Sequence, residues 1–374
     1  MKLVSIWHGA VFAEYQKRYR ELARLGYDVT LIAPERWSAG LPAPATLERL
    51  PEAEFELIGL PTHWARHGAT FYYSGLSRTL ARLQPDVIEC IEEPYSLAAF
   101  LVARWRRRYA PHAKLIVSTC QNIRKNYPPP FGWMERYVLR QADALTGLNA
   151  ESIEIYRAKG FDKPAIVLPT GLDLAAFPLR DDPERWNDPP IVGYAGRMVD
   201  EKGLDTLLRA AQAAKTPCRV MLAGQGPDRA RLKALARTLD IENRVEFLDA
   251  IPHGQMAEFY RALDMFALPS LTRPNWKEQF GRVLVEAMAC GANVIGSDSG
   301  EIPRVIGDAG LIFAEGDAQA LAAKIDQLAQ DANLRNELRR RGREKVEREY
   351  TWQAVAQTLH GFIQSLVATQ GSYP

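Results

Sequence analysis

Short apolar runs alternate with longer amphipathic stretches along this chain, and the alternation begins at its first residues. Residues 2–7, KLVSIW, make an apolar run of strand length; residues 12–25 follow with apolar side chains at helical spacing, and Gly26 stands where such a helix ends. Residues 28–33 read as the next strand and residues 85–91 as another, after a helical stretch carrying Leu76, Leu80 and Leu83. Runs at 114–118, 144–148 and 165–168 continue the series. Strands separated by helices in this way predict βα units and a parallel sheet. The charged, proline-rich stretch LRDDPERWNDPP then breaks the pattern. The same alternation restarts beyond it, with strands expected at 191–194, 219–223, 245–248, 265–268, 293–297 and 310–313. A last amphipathic run, 333–367, is long enough to return to the first domain. The expected organisation is therefore a Rossmann-like domain over 1–180, a linker over 181–190, a second Rossmann-like domain over 191–345, and a C-terminal helix over 346–374 crossing back.

Length agrees, since 374 residues suit two α/β domains better than one core. With 47% hydrophobic and 25% charged residues the chain has ample apolar surface to bury, which excludes disorder. A net charge of +2 is too mild for a nucleic-acid partner. The four cysteines, Cys90, Cys120, Cys218 and Cys290, lie far apart in runs that read as strand or buried helix, so reduced core thiols are expected. The start MKLVSIWHGAVFAEYQ has no long apolar leader, and no stretch reaches the ~20 apolar residues of a spanning helix, so a cytoplasmic protein is expected.

The densest chemistry lies at 269–304, PSLTRPNWKEQFGRVLVEAMACGANVIGSDSGEIPR. Phe280 and Gly281 follow a polar loop and precede an apolar helix, whose unpaired N–H groups favour an anion such as phosphate. Glu278 stands before this helix and Glu286 within it; eight residues of helix rise about 12 Å and bring both carboxylates near one side. Carboxylates so spaced suit the hydroxyls of two sugars at opposite ends of a nucleotide sugar, and equally a charged helix start plus an exposed glutamate. At 193–205, GYAGRMVDEKGLD, a strand runs into Gly196, followed by Arg197 and Lys202. A guanidinium and an ammonium at a strand–helix turn suit a diphosphate, or a surface ion pair. Gly224 and Gly226 lie in a further strand-to-helix turn, without the third glycine of a dinucleotide fingerprint.

In this order the pieces resemble the family-4 glycosyltransferases of the GT-B fold, over most of the C-terminal half and more loosely before it. The residues carrying the resemblance are Gly196-Arg197 with Lys202, 223–227, 245–248, Pro269-Ser270, Glu278-Gln279-Phe280-Gly281, 286–291 and 299–303. The resemblance implies two Rossmann-like domains with parallel sheets facing across a cleft, and retaining transfer of a hexose from a UDP- or GDP-linked donor. The acceptor would be a hydroxyl of a glycan, a lipid-linked saccharide or a small metabolite. It further implies that Arg197 and Lys202 hold the leaving diphosphate, that Glu278 orients the hexose, that Glu286 binds ribose, and that the amides of Phe280, Gly281 and Arg282 contact donor sugar or phosphate. Transfer in such enzymes needs no metal or other cofactor, the leaving phosphate helping to deprotonate the acceptor. A sugar phosphorylase or epimerase on the same architecture, or a non-catalytic nucleotide-sugar-binding subunit, are the alternatives.

The N-terminal half departs from the family in two places. The loop after the first strand reads Trp7-His8-Gly9-Ala10, with Gly9 where relatives have a glycine pair that lets the backbone approach the donor phosphates, and Gly9 is expected to serve as that donor contact. After residue 118 the chain has Thr119-Cys120-Gln121-Asn122 where relatives place a histidine beside the donor sugar, leaving His8, Gln121 or Asn122 as candidates for that donor contact. Glu92 and Glu93 are read as a solvated turn or as acceptor contacts, and 127–133 as an aromatic, proline-rich loop on the acceptor side. Arg104, Arg106, Arg107 and Arg108 with Trp105 form the strongest basic run, at the exposed end of a helix, solvated or in peripheral contact with anionic lipid at the inner face of a membrane.

Overall fold

The computed structural model of the chain describes all residues except Pro42, Glu52, Pro183 and 369–374. Two compact units result: residues 1–171 joined by the chain from Trp352 onward, and residues 172–351.

The first unit is built on seven parallel strands: Lys2–Ile6 (β1), Asp28–Pro34 (β2), Glu56–Leu60 (β3), Val87–Cys90 (β4), Lys114–Thr119 (β5), Ala144–Gly147 (β6) and Ala165–Val167 (β7). Their order across the sheet is β7-β6-β5-β4-β1-β2-β3. The apolar runs are continuous because both faces of a parallel sheet are covered. Val4, Ile6, Ile88, Leu115 and Val117 face one core, while Leu3, Val87 and Ile116, their neighbours in sequence, face the other. That second core is closed by the C-terminal helix Trp352–Ala368, whose Val355, Leu359, Phe362, Ile363 and Leu366 fall at helical spacing against the sheet. Burying each such side chain stabilises the unit by roughly 1.5–3 kcal/mol. The sequence pattern misses β3, a half-exposed edge strand that pairs only with β2. Its one buried position, Leu57, leaves almost no periodic signal.

The second unit has six parallel strands: Ile191–Ala195 (β8), Arg219–Ala223 (β9), Val245–Leu248 (β10), Met265–Leu268 (β11), Asn293–Ser297 (β12) and Gly310–Phe313 (β13). Their order is β10-β9-β8-β11-β12-β13, so the direction of winding reverses beside β8. Loops after the strands at such a reversal are where open α/β sheets receive ligands.

Two boundaries differ from expectation. The stretch expected as a linker packs on the second unit. Arg180 Nη1 donates to Leu263 O at 3.1 Å, and the buried Asp264 carboxylate accepts from Asn187 Nδ2 at 2.9 Å and from Ile191 N at 2.8 Å. The chain changes units between Gly171 and Leu172 instead. The final amphipathic run is likewise not one helix: Ala332–Lys345 passes into a widened turn at Val346–Tyr350, Thr351 is extended, and a new helix begins at Trp352. The return to the first unit therefore starts at 352, not 346. Among the cysteines, Cys90, Cys218 and Cys290 are buried thiols as expected, whereas Cys120 is exposed, because the chain leaves the sheet at Thr119.

Candidate active site

In the second unit the glycines of the two strand-to-helix turns are explained by each other. Gly196 has φ 148° and Gly224 φ 139°, and a Cβ on Gly224 would strike the Gly196 carbonyl. A Cβ on Gly226 would likewise strike the Met198 carbonyl. The loops after β8 and β9 thus lie backbone to backbone, joined by Met198 N to Gln225 O at 2.8 Å and Asp228 N to Met198 O at 3.1 Å. Small residues here serve loop packing and leave Arg197 projecting, its side chain 68% exposed and 3.7 Å from Glu201.

Lys202 and Glu278, 76 residues apart in sequence, meet: Lys202 Nζ lies 2.6 Å from Glu278 Oε2. Ser270 Oγ donates to the same oxygen at 3.1 Å, and the lysine lies 4.7 Å from the centre of the Trp276 ring. The backbone of Glu278 is fixed as well. Its carbonyl accepts from Glu301 N at 3.1 Å and occupies the space a Cβ on Gly300 would need. The Ser-Gly-Glu run at 299–301 is therefore the clamp behind Glu278. Glu278 does not lie on the helix, which runs Arg282–Cys290 after Gly281 at φ 80°, so the helical spacing to Glu286 does not apply. At the start of that helix Leu284 N donates to Gly281 O at 2.9 Å, and Phe280 before it is buried, with its ring 5.7 Å from that of Tyr350.

Glu286 is buried rather than an exposed helix glutamate. Tyr260 O–H donates to its Oε2 at 2.8 Å, and Arg282 Nε to its Oε1 at 2.9 Å. Burial and the Glu286 charge push the Tyr260 phenol well above its ordinary value, so it remains a donor. Glu286, Tyr260, Gly196, Arg197 and Gln225 line a pocket of about 420 Å³, the size of a nucleoside-scale ligand site. The predicted residues thus fall into two groups, one around Glu278 and one around Glu286. Tyr260 and Trp276 were missed, and Ser270 was named only among the residues that carry the resemblance, without a role; Tyr260 gives no sequence signal, being an aromatic at an ordinary helical core position.

In the first unit, a pocket of about 210 Å³ opens at the carboxyl ends of the strands and is lined from β1, β4, β5, β6 and β7. Glu92 and Glu93 are not a solvated turn. Glu92 is 3% exposed and accepts from His8 and Tyr73, while Glu93 accepts from Thr119 Oγ1 at 2.9 Å and Cys120 N at 2.7 Å. Burial raises the Glu93 carboxyl above its usual range, the two donors opposing the shift. A Cβ on Gly9 would come within 2.7 Å of the Trp7 ring, so this glycine makes room for Trp7. Gln121 Nε2 donates to Tyr127 O–H at 3.1 Å, and Asn122 is buried; neither lines the pocket, whereas His8 does. Tyr127 stacks on Tyr95 at 4.1 Å, and Trp133 stands on the helix Phe131–Gln141 rather than in the loop, 48% exposed. Of the four arginines, Arg106 is structural, bonded to Ala113 O at 2.7 Å and Asp143 Oδ2 at 2.8 Å. Arg104, Arg107 and Arg108 line a surface hollow with Trp105, Tyr109 and Tyr137.

Comparison with known proteins gives these sites a setting. Residues 178–345 match the family described as glycosyl transferases group 1, and residues 16–171 match the glycosyl transferase 4-like domain. A D-inositol 3-phosphate glycosyltransferase of Mycolicibacterium smegmatis is 31% identical over 319 residues, 77% of this chain and 70% of that protein. A GDP-mannose-dependent monoacylated alpha-(1-6)-phosphatidylinositol monomannoside mannosyltransferase of Corynebacterium glutamicum is 27% identical over 62% of this chain, a match that spans 64% of that relative. Among solved structures, sucrose-phosphate synthase from Thermosynechococcus elongatus superimposes with a TM-score of 0.72 at 22% identity, covering 99% of this chain and 100% of that one. HepE of Anabaena, solved with UDP, gives 0.70 at 17% identity over 98% and 100%. The chain belongs to the family-4 glycosyltransferases of the GT-B fold.

Proposed function

We propose that this glycosyltransferase moves a hexose, with retention of configuration, from a UDP- or GDP-linked donor to a hydroxyl of a glycan, lipid-linked saccharide or small metabolite. The observation that carries the reading is the Lys202–Glu278 pair, a cation and a carboxylate held 2.6 Å apart beside the reversal of the second sheet. Without donor each satisfies the other; with donor, the lysine and Arg197 turn to the diphosphate and Glu278 accepts from hexose hydroxyls. Glu286, with Tyr260 behind it, takes the ribose hydroxyls in the adjoining pocket. Gly196 and the amides of Phe280, Gly281 and Arg282 approach phosphate or sugar. The first-unit pocket takes the acceptor, and Gly9, Gln121 and Asn122 on the loops after its strands are donor contacts in this reading. One guanidinium, of Arg197, and one ammonium, of Lys202, on the diphosphate make a metal unnecessary in this reading. Support for the base comes from the relatives, one named for GDP-mannose and one solved with UDP.

A cytoplasmic enzyme with peripheral membrane contact is part of the proposal. None of the described helices is long and apolar enough to cross a membrane. Arg104, Arg107 and Arg108, around a hollow shared with Trp105 and Tyr137, suit anionic headgroups, which sedimentation with anionic and neutral vesicles compares directly.

The test is a thermal-shift and calorimetric screen against UDP, GDP, ADP, TDP and their sugar conjugates, with magnesium or with a chelator. One nucleoside diphosphate should stand apart, because a ligand stabilises the native state according to its affinity. Binding without transfer to any acceptor would favour the non-catalytic subunit, and phosphate-dependent release of sugar phosphate the phosphorylase.

A further inference from the structure

The loop between β11 and Glu278 carries a tight hairpin that none of the proposed donor contacts uses. Arg273 and Trp276 close it, Arg273 N donating to Trp276 O at 2.7 Å and Trp276 N to Arg273 O at 3.2 Å. It is laced to the helical turn Asp200–Lys202 that follows β8. The Arg273 guanidinium reaches Asp200 Oδ2 through Nε at 2.8 Å and through Nη2 at 2.7 Å, and Leu271 N donates to Glu201 O at 2.8 Å. Gly203, at φ 63°, lets that turn lie against the loop, since a Cβ there would strike the Pro269 carbonyl. A second fastening stands beyond the loop, where Thr272 N donates to Glu315 Oε2 at 2.7 Å and Thr272 Oγ1 meets Ser299 Oγ at 3.0 Å. The hairpin is thus fixed by backbone groups and by Arg273 and Thr272, and the half-buried Trp276 ring is presented to Lys202, its centre 4.7 Å from Nζ.

Lys202 therefore has two supports of different kinds. Glu278 accepts a hydrogen bond from the ammonium at 2.6 Å, and the indole face attracts its charge without taking up an N–H. A carboxylate is an acceptor that sugar hydroxyls compete for; an indole face leaves the three donors of the ammonium to phosphate oxygens. The lysine side chain is 15% exposed, so the cation and the ring meet where water screens them little.

We infer that Trp276 is a positioning residue for Lys202, its ring holding the ammonium at the diphosphate once the donor hexose has taken Glu278. The inference rests on the reading that Lys202 meets the diphosphate and Glu278 the hexose, and every residue it uses belongs to the second unit. With a nucleoside diphosphate alone, Glu278 still accepts one N–H of the lysine while a phosphate oxygen accepts another, so the ring is one hold of two. With a nucleotide sugar the carboxylate turns to the hexose hydroxyls, and the ring is the hold that remains. Without the ring the long lysine stem samples its rotamers, and ordering it on the phosphate lowers the affinity. A hairpin that served only the packing of the loop would behave differently: its damage would weaken both ligands alike, with or without Lys202.

Calorimetry on the full chain with UDP, GDP, UDP-glucose and GDP-mannose separates the two behaviours. Trp276→Leu leaves the fastenings of the hairpin in place, because none of them uses the indole. It should weaken the nucleotide sugar that the wild type binds about five- to tenfold and the matching nucleoside diphosphate by no more than about twofold. Trp276→Phe, which keeps an aromatic face, should recover most of the loss. In a Lys202→Ala background Trp276→Leu should change either affinity by no more than about twofold, since the group it positions is gone. Equal weakening of sugar and diphosphate, the same loss without Lys202, or wild-type affinities in Trp276→Leu overturns the inference and leaves the donor site standing. Full affinity in Lys202→Ala, or binding of none of the four ligands by the wild type, instead removes the donor-site reading itself.

Discussion

Glu278 in the second unit and Glu92 in the first are both nearly closed to solvent, yet their partners differ in kind. Glu278 faces the ammonium of Lys202, while Glu92 faces the imidazole of His8, whose pKa burial lowers and the Glu92 charge and hydrogen bond raise, with a net rise. The way the partners are assembled is alike: each carboxylate draws one partner from far along the chain, Lys202 from 76 residues and His8 from 84, and others from nearby, Ser270 and Glu301 for Glu278 and Tyr73 for Glu92. The ammonium suits the fixed charge of the diphosphate proposed for the second unit, whereas the His8–Glu92 pair joins two neighbouring strand ends of the first.

Replacing Glu278 breaks the comparison most directly. Glu278→Ala should lower kcat about 10²–10³-fold, the cost of removing a group that acts on the reacting sugar. It should leave UDP or GDP affinity unchanged or tighter, since Lys202 loses its competing partner. Initial rates and calorimetry check both parts; wild-type turnover would remove Glu278 from the site. Gly224→Ala should come next, destabilising the second unit by about 2–3 kcal/mol, because a Cβ at φ 139° meets the Gly196 carbonyl, a backbone atom that cannot move aside alone. Gly9→Ala meets only the Trp7 side chain and should cost clearly less in the same denaturant melts. Lys202→Ala should weaken nucleoside diphosphate binding about ten- to a hundredfold, with kcat falling less than in Glu278→Ala. Equal affinity in wild type and variant would confine Lys202 to holding Glu278.

The contrast also explains what the sequence made legible. All six strands of the second unit fall on the runs expected from the sequence, five of them apolar, and Glu278, Phe280 and Gly281 stood out by their place before an apolar helix, although Lys202 reaches Glu278 from 76 residues away. The Glu92 pair was not readable. Its members share a site only through the register that sets Leu3 beside Val87 and Ile6 beside Cys90, and a single sequence carries no signal for pairing across 84 residues. The same limit hid Asp264, whose hold on Asn187 and Ile191 turns a proline-rich linker into part of the second unit. Side chains whose role is set by distant neighbours were misjudged for the same reason, Arg106 among them.

The smallest predicted effect concerns that arginine and its neighbour. Arg106 and Arg104 look interchangeable in the run Arg104-Trp105-Arg106-Arg107-Arg108, yet only Arg106 is bound within the unit. Its guanidinium spans Ala113 O and Asp143 Oδ2, and its side chain is 14% exposed. Arg106→Ala leaves a carbonyl short of a donor but leaves Asp143 its bond from Leu115 N at 2.8 Å, so about 1–2 kcal/mol should be lost. Arg104→Ala, on the open hollow, should stay within about 0.5 kcal/mol of wild type. Urea melts of the two variants measure the difference, and vesicle sedimentation reads the opposite order, Arg104→Ala weakening any anionic-surface binding while Arg106→Ala leaves it. Equal melts would mean that the hydrogen bonds of Arg106 do not hold in solution and that the whole run is surface charge.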